Sequence, residues 1–218
     1  MTFSRLHTLF AHSTALAHVV ADPEPPGQPD FHCLTGDLPG GFGTELATIP
    51  AVVPYLRPPV DAHRPAGGVG LVWSGDPRHL KDHARSIPAE MFLRIADTPG
   101  HRFVSLQHEV RPADAAALAA RPAIERAGEH QADFAQTAAI IAPLDLVVTV
   151  DTSVAHLAGA LGKPVWVLLP PTPDWRWLLE RSDSPWYPTM RLFRADRRGW
   201  GPVVARVAKA LARFKADR

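Results

Sequence analysis

The chain has 218 residues, 46% of them hydrophobic, which is enough to build one large domain with a sizeable core, with or without an appendage. Its 23 basic and 22 acidic side chains nearly cancel, so the bulk charge favours neither nucleic acid nor an anionic membrane as a partner. No apolar run approaches the length of a membrane span, and the single cysteine, Cys33, excludes an internal disulfide framework. These features predict a cytoplasmic protein without a membrane span.

The first stretch of the chain, residues 1–20, is predicted to form one amphipathic helix because its apolar side chains recur at helical intervals. A Pro-rich piece, ADPEPPGQPD, follows it and is predicted to be a linker or a loop. The histidines of the first stretch do not share one helix face as a set, so we interpret them as solvated side chains and not as metal ligands.

From Val69 onward, apolar runs alternate with stretches that have helical spacing. The predicted strands are residues 69–73, 102–106, 146–150, 165–169 and 190–193. The predicted helices are residues 88–97, 113–120, 133–141, 152–161 and 202–214. This alternation predicts an α/β fold with a Rossmann-like, doubly wound parallel sheet.

Residues 145–170 form the stretch around which this sheet is predicted to be organised. An apolar strand, residues 146–150, ends abruptly at a polar trio, and a helical pattern then runs to Gly162. Pro164 follows, and a second apolar run begins directly after it. The stretch therefore predicts a β-α-β unit with short connections, from which parallel sheets are built.

The polar trio at the start of this helix, Asp151, Thr152 and Ser153, is the main candidate site. The two hydroxyls would lie beside unpaired N–H groups at the positive end of the helix dipole, which suits a phosphate. His156 shares their helix face and adds a third donor. The alternative is that Asp151 or Thr152 only caps the helix and that His156 is a partly buried spacer.

Polar residues also follow the other predicted strands, and in open parallel sheets ligands bind beyond these carboxyl ends. Ser74 and Gly75 follow the first strand, Gln107 follows the second, and Trp175 follows the strand that ends at Leu169. Gly75 either allows a close backbone approach to a ligand or is a plain turn glycine. Trp175 and Trp177 are either core or sheet-edge aromatics, as such residues more often are, or one of them walls a nucleotide or sugar pocket.

The loop DPRHLKDHARS, residues 76–86, brings three cations toward the same rim. These are Arg78, Lys81 and Arg85. Two or three cations neutralise a diphosphate, and an arginine grips it through two parallel hydrogen bonds; the alternative is a solvated charged face. His79 and His83 have the spacing of a zinc pair, but Pro77 argues against a helix there and no third ligand is evident. We predict no metal site.

A hydrolase is a further interpretation of the candidate site, because Asp151, Ser153 and His156 are the residue types of a nucleophile triad. No G-x-S-x-G elbow is present, and residues crowded on one helical turn do not align as a relay from acid to base to nucleophile. We therefore reject the hydrolase interpretation.

Four motifs, taken in order, resemble those of a known family. They are V-G-L-V-W-S-G at residues 69–75, R-S-I-P at residues 85–88, D-T-S-V-A-H-L-A-G-A-L-G-K-P at residues 151–164 and D-W-R-W at residues 174–177. From about Leu38 to Phe214 the chain resembles glycosyltransferase family 9. More narrowly, it resembles the heptosyltransferase-like domains that follow tetratricopeptide repeats in many bacterial proteins.

The resemblance implies the C-terminal half of a GT-B fold, in which two Rossmann-like domains face each other and the C-terminal one holds a nucleotide-diphosphate sugar. Residues 65–218 would be this donor domain, and residues 1–64 would be a helix, a linker and a remnant of the acceptor-side domain. The implied substrate-binding residues are Ser74, Gly75, Arg85, Gln107, Asp151, Thr152, Ser153, His156 and Trp175. Among them, Arg85, Thr152, Ser153 and His156 would meet the leaving-group charge without a bound metal or other cofactor.

The resemblance leaves two functions open. The family's carboxylate base comes from the N-terminal domain, and no residue of this sequence can be matched to it. The chain is either an inverting glycosyltransferase completed by a separate or upstream acceptor-side or tetratricopeptide-repeat domain, or a non-catalytic nucleotide-sugar binding module or truncated remnant. An acceptor-side domain encoded directly upstream would favour the first.

Overall fold

A computed structural model describes residues 4–13, 31, 33–59 and 65–216, and its centre is one parallel sheet. The strands are β1 (Val69–Val72), β2 (Phe103–Ser105), β3 (Glu125–Arg126), β4 (Leu146–Val150), β5 (Val165–Leu169) and β6 (Met190–Arg194). Their order is β3-β2-β1-β4-β5-β6, and each neighbouring pair is parallel. The predicted Rossmann-like α/β fold is therefore confirmed.

Helices connect the strands and cover the sheet. They are α1 (Ser4–Ser13), α2 (Leu38–Gly41), α3 (Asp82–Arg85), α4 (Ala89–Phe92), α5 (Pro112–Ala119), α6 (Phe134–Ile141), α7 (Ser153–Ala160) and α8 (Trp200–Leu211). Short 3-10 helices span Thr35–Asp37, Leu46–Thr48, Leu93–Asp97, Gly128–His130 and Trp175–Trp177. Within the described ranges, no helix has both the length and the apolarity needed to cross a membrane.

The central strands are apolar at almost every position because helices cover both of their faces. Every residue of β4 and β5 is buried. Val147 packs in the hydrophobic cluster that contains Leu157 of α7, whereas its neighbour Val148 packs in the cluster that contains Val207 of α8. Successive side chains of a strand point to opposite faces, so one apolar run supplies both cores.

The structure differs from the predicted elements in two places. β3 was not predicted, because it has only two residues and both are exposed, so it lacks the apolar run that indicates a strand. The loop of residues 76–86 was predicted to contain no helix, but Asp82–Arg85 forms a single helical turn, α3. His79 precedes this turn, and no group of three possible metal ligands occurs among the described residues.

The N-terminal segment packs against α6 on one face of the sheet. Only Ser4–Ser13 of the predicted helix is described, as α1, and residues 14–30 with the Pro-rich piece lie outside the described residues. Leu9 is fully buried in the cluster that contains Ile141 of α6. The Ser13 hydroxyl exchanges hydrogen bonds with the backbone of Arg57, at 3.1 and 3.2 Å, so α1 is also tied to residues 51–59.

Candidate functional site

A cavity of about 740 Å³ opens at the carboxyl ends of β1, β2 and β4, and we call it the strand-end cavity. The strand order reverses between β1 and β4, because the chain builds outward from β1 on one side and from β4 on the other. Such a switch point leaves a crevice between the connections that leave in opposite directions, where α/β proteins bind ligands. The volume is in the range of small-molecule sites.

Most of the predicted site residues line the strand-end cavity. Those that line it are Ser74, Gly75, Arg85, Gln107, Thr152 and Ser153. Arg78 also lines the cavity, but its guanidinium is paired with Asp76 at 2.7 Å, and this hydrogen-bonded arginine lowers the pKa of Asp76 to about 2. The pair is therefore already neutralised, and Arg78 is not a free cation for a ligand. Lys81, the remaining cation of the loop, is exposed and lies outside the cavity lining.

Gln107 forms the floor of the cavity by joining the ends of β1 and β2. Its Oε1 accepts hydrogen bonds from the backbone N–H groups of Trp73 and Ser74, both at 3.2 Å. Its Nε2 donates to the carbonyls of Ser74 and Glu109, at 3.0 and 3.2 Å. Both amide protons are in use, so the side chain of Gln107 holds the cavity wall in place.

Two arginines share one carboxylate at the side of the cavity, and we call Asp82, Arg85 and Arg111 the arginine cluster. Arg111 donates to Oδ2 of Asp82, while Arg85 Nε lies 3.5 Å from Oδ1. Arg85 also donates to the carbonyl of Asp151 at 2.9 Å. Asp82 is only 5% exposed. One buried carboxylate between two guanidiniums leaves a net positive charge beside the cavity.

Three buried polar groups beside the cavity, two of them in the arginine cluster, make no hydrogen bond. The Nε atoms of Arg85 and Arg111 and the hydroxyl of Ser74 are buried without a hydrogen-bond partner. Buried polar groups are normally satisfied, and a functional site is one reason for an exception. The three residues line the strand-end cavity, although these particular atoms lie beneath its surface.

Gly75 is needed because Arg85 lies against it. A Cβ atom at this position would stand 2.5 Å from Nη2 of Arg85 and 2.9 Å from Oδ1 of Asp82. Arg111 donates to the carbonyl of Gly75 at 3.0 Å. The missing side chain therefore makes room for the arginine cluster, a role that neither interpretation of this glycine included. The close approach of its backbone to a ligand stays a prediction.

The start of α7 is open toward the cavity. Thr152 occupies the N-cap position in an extended conformation, but its side chain accepts no capping hydrogen bond and lies 3.2 Å from the hydroxyl of Thr149. Ser153 is exposed and lines the cavity. The capping interpretation is therefore wrong for the side chain of Thr152, and the positive end of the helix dipole faces the cavity.

His156 is held away from the lining of the cavity. Its Nδ1 lies 3.2 Å from the hydroxyl of Tyr187, and its ring stacks on Trp177 with centroids 5.1 Å apart. Burial lowers the pKa of His156, with Asp151 opposing this effect. Burial also raises the pKa of Tyr187, whose hydroxyl accepts a hydrogen bond from Tyr55 at 3.5 Å. His156 therefore joins α7 to residues 51–59.

Asp151 and Trp175 also lie outside the cavity lining. The Asp151 carbonyl, and not its carboxylate, receives the bond from Arg85. Trp175 is 64% exposed, with the guanidinium of Arg176 4.4 Å above its ring. Trp177 is fully buried, so the core interpretation of the D-W-R-W motif is confirmed for its second tryptophan.

Among the cavity residues that were not predicted from the sequence are two arginines. Arg111 precedes α5 and lies beyond the carboxyl end of β2, so its place after a strand was a usable signal. Arg5 comes from α1 and donates from Nη2 to Nε2 of His108 at 3.0 Å. No local signal identified Arg5, because only the packing of α1 against α6 brings it to the cavity.

Three comparisons found known proteins that are similar to parts of this chain. Residues 115–202 match the model of glycosyltransferase family 9 (heptosyltransferase). Protein FlbA of Caulobacter vibrioides is 30% identical over 173 residues, which are 77% of this chain and 29% of FlbA. The E. coli ADP-heptose LPS heptosyltransferase II is similar over 88% of this chain and 54% of that chain, with a TM-score of 0.46 and 20% identity. The chain thus spans less than a third of FlbA and about half of the solved enzyme.

Proposed function

We propose that this chain binds a nucleotide-diphosphate sugar in the strand-end cavity. The match of residues 115–202 to glycosyltransferase family 9 supports this proposal and agrees with the resemblance found in the sequence over that part of the chain. The sugar would be transferred with inversion once an acceptor-side domain completes the site. The observation that carries the proposal is the arginine cluster, which lies beside the cavity that the α7 N-terminus faces.

The arginine cluster and the start of α7 are suited to the departure of a diphosphate. When an acceptor hydroxyl attacks the anomeric carbon, the bond from that carbon to the diphosphate oxygen breaks and negative charge grows on the leaving group. Guanidinium N–H groups and first-turn N–H groups of α7 stabilise this charge, and they are held in place before the reaction begins. The acceptor's proton goes to a carboxylate base that the acceptor-side domain would supply.

A non-catalytic nucleotide-sugar binding module is the second candidate. The observation that favours it is that no residue of this sequence can be matched to the family's carboxylate base. Both candidates require the same donor site. They differ only in whether an acceptor-side domain, on the same polypeptide or another, faces the strand-end cavity.

The donor site is tested by replacing Arg85. Titration calorimetry with a nucleoside and its diphosphate, on the original protein and on Arg85→Gln, should show a loss of about 10- to 100-fold for the diphosphate only, since a hydrogen bond to a charged group contributes ~1.5–3 kcal/mol. Arg94→Gln, an exposed arginine outside the cavity, is the matched control. An equal loss for nucleoside and diphosphate would contradict the assignment of Arg85 to the phosphates.

A further inference from the structure

A second cavity, of about 790 Å³, lies between β6 and α8 and shares no lining residue with the strand-end cavity. We call it the β6–α8 groove. Seven of its lining residues are cationic and one, Glu180, is acidic. The whole chain has a formal charge of only +1, so the other surfaces are acidic on balance. The groove therefore concentrates positive charge in one place, and neither the arginine cluster nor α7 contributes to it.

The cations of the groove divide into two groups. Arg194 is used within the fold, since it donates to the carbonyls of Trp177, Leu178 and Arg181. Arg181 pairs with Asp183, and Arg206 donates to the carbonyl of Arg194. The other group comprises Arg191, Lys209, Arg213 and Lys215, which are exposed. Among the described residues, no carboxylate lies within ion-pair distance of these four.

The aromatic side chains of the groove are already engaged. Trp166 and Phe193 are 7% and 6% exposed, and the guanidinium of Arg191 covers both rings, at 5.8 and 4.7 Å from their centroids. Phe214 meets the edge of Trp166 at 5.6 Å. Binding of single-stranded nucleic acid relies on exposed rings on which bases stack, and insertion into a membrane surface relies on exposed apolar side chains. The rings of Trp166 and Phe193 are buried, so the groove offers neither a stacking surface for bases nor an apolar surface for a membrane.

The edge of the sheet is also closed at this point. The backbone N–H of Leu192 donates to the carbonyl of Ser182 at 2.7 Å, and Asp183 forms a bridge with Arg191. A partner therefore cannot add a strand to this part of β6, which is how many extended peptides bind. Recognition must come from the cationic side chains, and the guanidinium fork matches the oxygens of carboxylates as well as those of phosphates.

The cations at the end of α8 suit an extended chain. Lys209 lies in the last turn of the helix, and Arg213 lies four residues later, in the turn that directly follows it. The backbone N–H groups of Arg213 and Phe214 donate to the carbonyls three residues back, so the chain leaves the α-helix here, and both cations line the groove. In an extended polypeptide, side chains on one face repeat about every 6.6 Å. Carboxylates repeated along one face of an extended segment would therefore meet several cations of the groove.

We propose that the β6–α8 groove binds an extended acidic segment of another protein, with its carboxylates on Arg191, Lys209 and Arg213. Binding is electrostatic, so it weakens with added salt. It is independent of the donor site, because the two cavities share no residue. The groove therefore gives the chain a docking surface for a protein partner.

Fluorescence anisotropy of a labelled twelve-residue peptide with alternating Glu and Thr tests the proposal. We expect binding that falls by ~10-fold or more in Lys209→Glu/Arg213→Glu and on raising the salt concentration, because exposed charges act through screened Coulomb attraction. Arg57→Glu/Arg94→Glu changes the net charge equally at exposed positions outside both cavities and should leave binding unchanged. The affinity for a nucleoside diphosphate should be the same in all these proteins.

Three results would overturn the proposal. One is equal binding of a peptide with Gln in place of Glu, which would remove the role of the carboxylates. Another is an equal loss in Arg57→Glu/Arg94→Glu, which would mean that net charge alone is responsible. The third is tighter binding of a twelve-nucleotide single strand, or of phosphatidylserine vesicles, than of the acidic peptide, which would assign the groove to nucleic acid or to a membrane surface.

Discussion

Individual side chains at the strand-end cavity have different roles, either facing a ligand or supporting the fold, and the residue type alone does not reveal which. Ser153 is exposed to the cavity and supports no other part of the fold, whereas Gln107 is buried and joins two strand ends. Histidine is a residue type that can donate a hydrogen bond to a phosphate, but the ring of His156 is stacked on Trp177. Substitutions at these positions should therefore separate ligand binding from stability.

Ser153→Ala should weaken binding of a nucleoside diphosphate by about 2- to 10-fold, the equivalent of one neutral hydrogen bond. The melting temperature should stay nearly unchanged, because the side chain is exposed. Calorimetry and thermal unfolding measure the two effects, with Ser182→Ala, an exposed serine outside this cavity, as the control. A parallel loss of affinity and stability would instead favour a structural role for the hydroxyl.

His156 should make the stability of the protein depend on pH. Because burial lowers its pKa below the usual value of 6.5, the unfolded chain takes up a proton on this histidine before the folded chain does. The free energy of unfolding should therefore be highest above pH 6.5 and should fall as the pH drops toward the lowered pKa.

Urea unfolding at several pH values, on the original protein and on His156→Phe, measures this contribution. The phenylalanine keeps a ring against Trp177 but does not titrate. The fall in stability below the usual histidine pKa of 6.5 should be smaller in His156→Phe, since other histidines still titrate in both proteins. Identical pH profiles would show that His156 is protonated as easily in the folded as in the unfolded chain.

At the scale of elements, α1 connects the N-terminal segment to the strand-end cavity. Leu9 anchors the helix in the hydrophobic cluster of α6 and α7, and Arg5 reaches the cavity and donates to His108. The β-α-β pattern does not require α1. Its contribution to ligand binding can therefore be measured by replacing Leu9, which anchors the helix, or Arg5, which carries its charge to the cavity.

Arg5→Gln should lower the affinity for a nucleoside diphosphate by roughly 2- to 5-fold without changing the melting temperature, because an exposed ionic contact contributes at most ~1 kcal/mol. Leu9→Ala should lower stability by ~2–5 kcal/mol, or release α1 locally, and should lower the affinity at least as much as Arg5→Gln. Leu34→Ala, at a leucine that is 73% exposed, is the control.

The double variant Arg5→Gln/Leu9→Ala decides whether these two residues act together. If α1 serves to carry Arg5, the double variant should bind no more weakly than Leu9→Ala alone. Additive losses would mean that α1 shapes the cavity in a second way, independent of its arginine.

At the scale of the whole molecule, we expect residues 1–218 to bind a nucleotide-diphosphate sugar but to transfer the sugar poorly or not at all. A donor domain without a facing domain cannot position the acceptor hydroxyl or exclude water from the reacting carbon. Six acidic residues precede the sheet, and of these only Asp37 and Glu45 are described, both exposed on the surface. The others, Asp22, Glu24, Asp30 and Asp61, lie outside the described residues.

Titration calorimetry on the purified chain measures binding of the nucleotide sugar, and a transfer assay on the same sample measures turnover. Binding without turnover, followed by turnover on adding an acceptor-side domain, would support the transferase. Robust turnover by this chain alone, abolished by replacing one of those six carboxylates, would contradict the expectation and identify the base.

The sequence by itself determined five of the six described strands, all except β3, and the start of α7, because these depend on local patterns. The apolar run of β4 predicts a strand buried on both faces, and the polar residues that follow it mark a helix start at a strand end. These properties need only the neighbours in the chain. The positions of Ser74, Gly75, Arg85, Thr152 and Ser153 at one cavity follow from the rule that parallel strands end at the same edge.

Only the tertiary structure decided which side chains complete the site and which do not. Arg5 reaches the cavity through the packing of α1 against α6, and the sequence encodes no distance between these two elements. The place of Arg111 after β2 was a usable signal, but its ion pair with Asp82 was not readable from the sequence. His156 shares a helix face with Ser153, but packing against Trp177 and Tyr187 fixes its ring elsewhere. Helical spacing determines on which face a residue lies, whereas the direction of its side chain depends on the neighbours that only the folded chain supplies.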